Sequence, residues 1–241
     1  MISQQHARDI LCIEMVTRPR VLALLSLVLT TIFLLCCKPS VAGVIVETEQ
    51  TDPEPRREID FIQGHRKKSA LASASSPTDP ARLLKSINRW EIIDLDKGTK
   101  IFVDYAKKSY EVMPLYPGED NPTPPETVNY RPTGKRRKVL GYRCNEYRAD
   151  MESPKWKWTD FECVSNDPPG AKEYNEFEKL DNSILVKAGY GTPGYQPDGF
   201  VLEDRGVGDD AAASRIILID SKPIPPSEFE PPAGFVKHKI P

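Results

Sequence analysis

Histidine is scarce in this 241-residue chain: His6, His65 and His238 are all it has. A Ser-His-Asp triad needs a histidine held rigidly beside a nucleophile. His65 and His238 instead fall in loop-like and C-terminal contexts. The chain also lacks a Gly-x-Ser-x-Gly elbow, a His-Glu-x-x-His pair and a phosphate-binding glycine loop, so no catalytic residue is assigned and the reading is non-enzymatic. Cysteine is nearly as rare. Of Cys12, Cys36, Cys37, Cys144 and Cys163, three lie within the first 42 residues. That count excludes a disulfide-dense scaffold. Two cysteines without neighbouring histidines do not supply four zinc ligands, and neither a metal nor a cofactor is expected.

One long apolar run is present. Residues 21–37 carry no charge, Arg18 and Arg20 precede them, and Ser40-Val41-Ala42 comes after. A basic segment, an apolar segment and a small-x-small site are the layout of a secretory signal peptide. The reading is a signal over residues 1–42, cleavage after Ala42 and a single β-rich domain over 43–241. Met15 begins a more compact signal than Met1 does. Two alternatives are a lipid anchor through Cys36 or Cys37, where the preceding residue is a poor fit, and an uncleaved anchor helix, for which the run is short of the ~20 residues a span needs. Each places the remainder outside the cytoplasm, periplasmic or extracellular, with membrane contact only through the leader or anchor.

Residues 1–42 hold Arg8, Arg18, Arg20 and Lys38 against Asp9 and Glu14; taking these from 33 basic and 35 acidic residues leaves 29 and 33, a net charge of −4. That mild acidity argues against a nucleic-acid partner, which needs a dominant basic field. Cys144 and Cys163 are then the only cysteines, an even number in an oxidising compartment. A bridge between them closes a loop of about 20 residues and stabilises by roughly 3 kcal/mol; the alternative is two buried free thiols.

Strand patterns dominate residues 43–241. Residues 44–49 read as a strand, and a second centres on Ile59, Phe61 and Ile62. Residues 90–113 alternate branched and aromatic side chains across short turns at Asp96-Lys97-Gly98 and Ala106-Lys107-Lys108, an antiparallel meander. Residues 139–149 and 156–164 form a hairpin that carries the two cysteines, and 200–202 and 215–219 close the sheet. Pro169-Gly170 opens one helix over 171–180, with Ala171, Tyr174, Phe177 and Leu180 at three-residue spacing. Residues 69–80 and 114–132, rich in Ala, Ser and Pro, read as flexible insertions.

These elements occur in a recognisable order. Ile92-Ile93-Asp94, Lys100-Ile101-Phe102-Val103-Asp104 and Lys108-Ser109-Tyr110 resemble the paired strands of the domain-of-unknown-function family 4412, and Val139-Leu140-Gly141-Tyr142-Arg143-Cys144 resembles its Gly-aromatic-x-Cys strand. Pro169-Gly170-Ala171-Lys172-Glu173-Tyr174 resembles its short helix, and the tail from Ile224 through Phe229 to Phe235 its closing Pro/Phe/Gly segment. Residues 69–80, 114–132 and 189–199 depart from the pattern. The resemblance implies an exported protein of LolA/LolB-like architecture, a curved antiparallel half-barrel with a short helix packed on one face. It carries over no catalytic residue.

Several shorter features are weighed against plainer readings. Asp94-x-Asp96-x-Gly98 has its glycine one place early and Tyr105 at the twelfth position, so it reads as a turn and not a calcium loop. Glu203, Asp204, Asp209 and Asp210 read as a solvated hairpin loop. Lys135-Arg136-Arg137-Lys138 reads as a solvated turn before a strand; contact with anionic headgroups, worth about 1 kcal/mol per charge, is the competing reading. Trp156 and Trp158 on one strand, Tyr174 and Phe177 on the helix, and Tyr190 and Tyr195 in a Gly/Pro loop are the candidate ligand-lining residues; core packing is the plainer alternative. The expectation is an envelope protein binding a lipid, acyl chain or lipoprotein segment, with Tyr174 and Phe177 facing inward from a helical lid. A structural or partner-binding module without a cavity is the alternative.

Overall fold

Val44-Ile45-Val46, Phe61-Ile62 and Ile92-Ile93 are contiguous apolar runs inside strands, where successive side chains point to opposite faces. Such strands bury apolar side chains on both sides of a sheet, so both sides need a cover. The computed structural model, which describes residues 42–51, 55–73, 86–116, 127–152, 157–189, 196–207 and 213–238, supplies one for each. All of these lie in one compact unit, Val41–Pro241. The signal-like segment 1–41 lies outside the described residues. Among the described residues, no helix is long and apolar enough to cross a membrane.

Among the described residues, twelve strands form one open sheet: β1 (Gly43–Gln50), β2 (Arg56–Gln63), β3 (Arg66–Ser73), β4 (Arg89–Asp94), β5 (Thr99–Asp104), β6 (Ser109–Pro114), β7 (Thr127–Val139), β8 (Tyr142–Glu152), β9 (Lys157–Ser165), β10 (Phe200–Gly206), β11 (Ala213–Lys222) and β12 (Val236–His238). Their order is β12-β6-β5-β4-β3-β2-β1-β11-β10-β9-β8-β7. Every pairing is antiparallel except β12 with β6. The fold is mainly β, as the alternation predicts, with one α-helix among the described residues packed on a face.

Register sets the two faces. Val44 pairs with Ile62, Ile62 with Lys67 and Lys67 with Ile93 on the front. Ile45 pairs with Phe61, Phe61 with Lys68 and Lys68 with Ile92 on the back. The front is covered by α1 (Ala171–Ala188), which contacts β1, β2 and β10. Phe177 is fully buried there among Val44, Val46, Ile62, Phe200 and Leu202, a burial worth about 1.5–3 kcal/mol. The back is covered by residues 223–235, which leave β11, cross the sheet and end in β12. This strap sets Ile224 and Phe229 against Ile59, Phe61, Trp90 and Ile92.

Four expectations change. The helix runs to Ala188, not to residue 180: Leu180 and Ile184 continue its apolar stripe past the polar Asp181-Asn182-Ser183, and Gly189, at φ 86°, ends it. Residues 69–73 belong to β3, whose small Ala70 and Ala72 are buried on the back face and give little hydropathy signal; residues 74–85 lie outside the described ones. Residues 127–132 belong to β7, where Pro132 is tolerated because the strand is an edge; residues 117–126 also lie outside. The basic run Lys135–Lys138 is likewise part of β7 and not a turn. The turn falls at Leu140-Gly141, with φ of 51° and 85°, positive values at both central positions as a two-residue hairpin requires.

Candidate functional site

The expected disulfide is present. Glu146 on β8 pairs directly with Cys163 on β9, which brings Cys144 diagonally within reach, and the bridge joins Cα atoms 5.3 Å apart. The carboxylate of Glu146, buried beside this bridge, accepts from Thr133 Oγ1 at 3.0 Å and from Arg205 Nη2 at 3.1 Å. Arg137 adds an ion pair to Glu203 at 2.7 Å. Burial would raise the Glu146 carboxyl, but the hydrogen bonds from Thr133 and Lys135 and the charges of Lys135 and Arg137 outweigh it and hold Glu146 below the usual carboxylate range.

Of the six ligand-lining residues expected from the sequence, the structure describes three. Trp156, Tyr190 and Tyr195 lie outside the described residues. Trp158 is partly exposed near the start of β9 and donates its indole N–H to Asp160. Tyr174 and Phe177 come together under the helix, but as core: Tyr174 packs on Phe200 with ring centroids 4.4 Å apart, and Phe177 has no exposed surface. Phe200 pairs with Ser165 at the other end of β9 from Trp158, so the tryptophan and the helical aromatics do not share a site.

Beside Phe177 the helix–sheet contact is ionic. Lys67 of β3 places its ammonium 5.6 Å from the Phe177 ring centroid. Burial alone would lower its pKa, but Asp60, Glu178, Glu58 and Asp181 outweigh that and raise it. Burial raises both Asp60 and Glu178, against the pull of Lys67. Tyr116 donates to Asp181 at 2.5 Å. Among the described residues, the space under the helix is occupied by Phe177 and the Lys67 cluster.

The apolar pocket lies on the opposite face, under the strap. It holds about 460 Å³ and is lined by Ile45, Ile59, Phe61, Leu218 and Ile224, with Pro223 and Pro225 from the strap. Four charged residues complete the lining: Glu47, Asp220, Lys222 and Glu228. Each of the three carboxylates has a cation nearby, Arg57 3.2 Å from Glu47, Lys222 2.6 Å from Asp220 and Lys68 2.8 Å from Glu228. Gly43 packs directly against the strap, where a Cβ would stand 2.6 Å from Ile224 Cδ1. A second, more polar cleft of about 650 Å³ lies against β2–β6, lined among others by Glu58, Arg89, Glu91, Phe102, Asp104 and Glu111.

Sequence reasoning missed this pocket because its walls come from positions 45, 59–61 and 218–228, brought together only by the sheet order. The available signal was the apolar Ile45 between Val44 and Val46, which marks a strand with two buried faces. Asp94, by contrast, does what its turn predicts: it accepts from the Lys97 N–H at 3.0 Å and from the Lys97 ammonium at 2.7 Å. His65 pairs with Asp96 at 2.8 Å on the exposed surface.

No family model matches the chain, and no curated protein matches it significantly. Two solved structures are similar in outline. An uncharacterized conserved protein from Thermus thermophilus shares 7% identity at a TM-score of 0.47, covering 84% of this chain and 92% of the other. The structure of PNGF-II shares 9% identity at a TM-score of 0.40, covering 83% of this chain and 31% of the other.

Proposed function

We propose that this is an exported, non-catalytic envelope protein that binds a lipid or acyl chain in the pocket between the back of the sheet and the strap. The observation that carries the reading is the pocket itself: about 460 Å³, with an apolar floor of Ile45, Ile59 and Phe61 and an apolar roof from Pro223 to Pro225. Its volume and its few convergent polar groups match those of small-ligand sites. Export is supported by the charge-free run at 21–37 and by the Cys144–Cys163 bridge.

Native mass spectrometry of the protein purified from its own envelope tests this. The expected result is a lipid-sized adduct that is absent from Leu218→Asp. Leu218 lines the pocket yet is 37% exposed, so the new charge enters the site without disturbing the core. Absence of an adduct from the native protein sinks the reading. In that case the module is a partner-binding one, which the packing around Phe177 on the front face favours.

A further inference from the structure

The polar cleft of about 650 Å³ lies on the front of β2–β6, and no residue of α1 lines it. Register assembles its walls. Ser69 of β3 pairs with Glu91 of β4, Glu91 with Phe102 of β5, and Phe102 with Glu111 of β6. One step along the strands, Glu58 pairs with Leu71, Arg89 with Asp104, and Asp104 with Ser109. Residues two apart on a strand share a face, so these side chains stand on one surface. Two of them are apolar and open to water, Leu71 at 58% and Phe102 at 38% exposed. Two more, Ser69 and Ser109, are nine-tenths or more buried, and neither hydroxyl is hydrogen-bonded among the described residues. Neither oxygen is sealed from solvent.

The charges narrow the choice of occupant. Four carboxylates line the cleft, Glu58, Glu91, Asp104 and Glu111, against two cations, Arg89 and Lys107. Both cations pair with Asp104, at 3.8 and 3.6 Å, and Glu91 pairs with Lys100 at 3.3 Å. Glu58 and Glu111 form no ion pair among the described residues. Lys67 feels Glu58, but less than it feels Asp60 and Glu178. Glu111 is exposed and Glu58 half-buried, and both line the cleft, so a ligand reaches them. They stand on β2 and β6, four strand spacings apart, about 19 Å across a flat sheet. Lys100 shows how a cation sits here: its ammonium lies beside Glu91 and 5.6 Å from the centre of the Phe102 ring. We infer that the cleft binds an extended basic peptide segment, its cationic groups on Glu58 and Glu111 and their apolar stems on Leu71 and Phe102. Lysine and arginine carry both a charge and an apolar stem, and about six extended residues cover the span. A small monoamine reaches one of the two carboxylates and not both. The cleft shares no lining residue with the apolar pocket of the back face, so its binding stands or falls by itself.

The test is fluorescence anisotropy with rhodamine-labelled hexalysine, and with hexaglutamate as the reverse-charge control. The expected result is saturable binding of hexalysine that hexaglutamate does not share. Glu58→Gln/Glu111→Gln is expected to weaken it about tenfold, and Phe102→Ala about threefold. Glu152→Gln/Glu176→Gln, which removes two exposed carboxylates outside the cleft, is expected to change it by less than about twofold. Equal losses in the two double variants mean diffuse attraction to an acidic surface and overturn the inference. A wild-type protein that binds neither peptide, or both alike, also overturns it. Amide chemical shifts of the wild-type protein during the hexalysine titration give a readout that needs no variant. They are expected to move at Glu58, Leu71, Glu91, Phe102 and Glu111; movement confined to other residues overturns the inference.

Discussion

Lys68 and Glu228, separated by 160 residues in the chain, hold their charged groups 2.8 Å apart and tie the strap to β3. The ammonium also lies 4.4 Å from the centre of the Trp90 ring and is 8% exposed at the side chain. Glu228→Gln leaves that buried ammonium without its counter-charge. Glu228 is itself partly exposed, which screens the pair, so the expected loss is about 1 kcal/mol. Lys68→Ala also removes the ring contact and is expected to lose about 2 kcal/mol. Urea unfolding of both single variants and the double variant gives a coupling energy; zero coupling means the strap is held by Ile224 and Phe229 alone.

The bridge Cys144–Cys163 joins β8 to β9 with both cysteines buried. Replacing both with alanine is expected to lower stability by about 3 kcal/mol on the chain-entropy account. Denaturant unfolding with and without reductant checks this: reductant should shift the midpoint of the native protein and leave the alanine variant unmoved.

Stability should fall as pH rises through neutrality. Burial, with the nearby Asp204 and Asp160, pushes Glu162 from 4.5 up to about 7, against the Tyr130 hydrogen bond. Burial and Asp160 push Asp204 from 3.8 up to about 6. Between the unfolded and folded values the native state holds protons that the unfolded chain has released, so each rise in pH favours unfolding. The contribution is full below the unfolded values and gone above the folded ones. Glu162→Gln is therefore expected to gain on the order of 2 kcal/mol at pH 8 and little near pH 4.5. Asp94 and Glu146, whose values are lowered, act the other way in acid. Thermal melts from pH 4 to 8 should peak near pH 5; a flat profile removes the argument.

Gly170 opens α1 at φ 86°, and a Cβ built there would lie 2.8 Å from Val44 Cβ. Both the backbone and the space demand glycine. Gly170→Ala is expected to lose about 2–4 kcal/mol, combining left-handed strain with overpacking. Gly141, also at positive φ but with nothing within 4 Å of a built Cβ, is the control, expected to lose only about 1–2 kcal/mol. Equal losses at the two sites refute the packing component.

The meander β4–β6 was legible because Ile101 and Val103 alternate with Lys100 and Phe102 between tight turns. So was the cysteine hairpin, because Cys144 and Cys163 sit on strands joined by a short connection. The longer helix was not, since Asp181-Asn182-Ser183 interrupts the local pattern and only contact with the sheet shows that Ile184 continues the stripe. β3 was hidden because alanines give little hydropathy contrast.

From the residues alone come the mainly-β class, the pairing of the cysteines, the start of the helix and the tight turns. All of these depend on neighbours within a few tens of residues: side-chain alternation, glycine at positive φ, and the separation of two thiols. The tertiary structure decided which apolar face is packed and which holds a pocket. Phe177 fills the space under the helix. On the other side, Ile45, Phe61, Leu218 and Ile224 meet only because β11 pairs with β1 and the strap returns across the sheet. Whether a cavity remains depends on the volumes of side chains distant in sequence, and no local pattern encodes that sum.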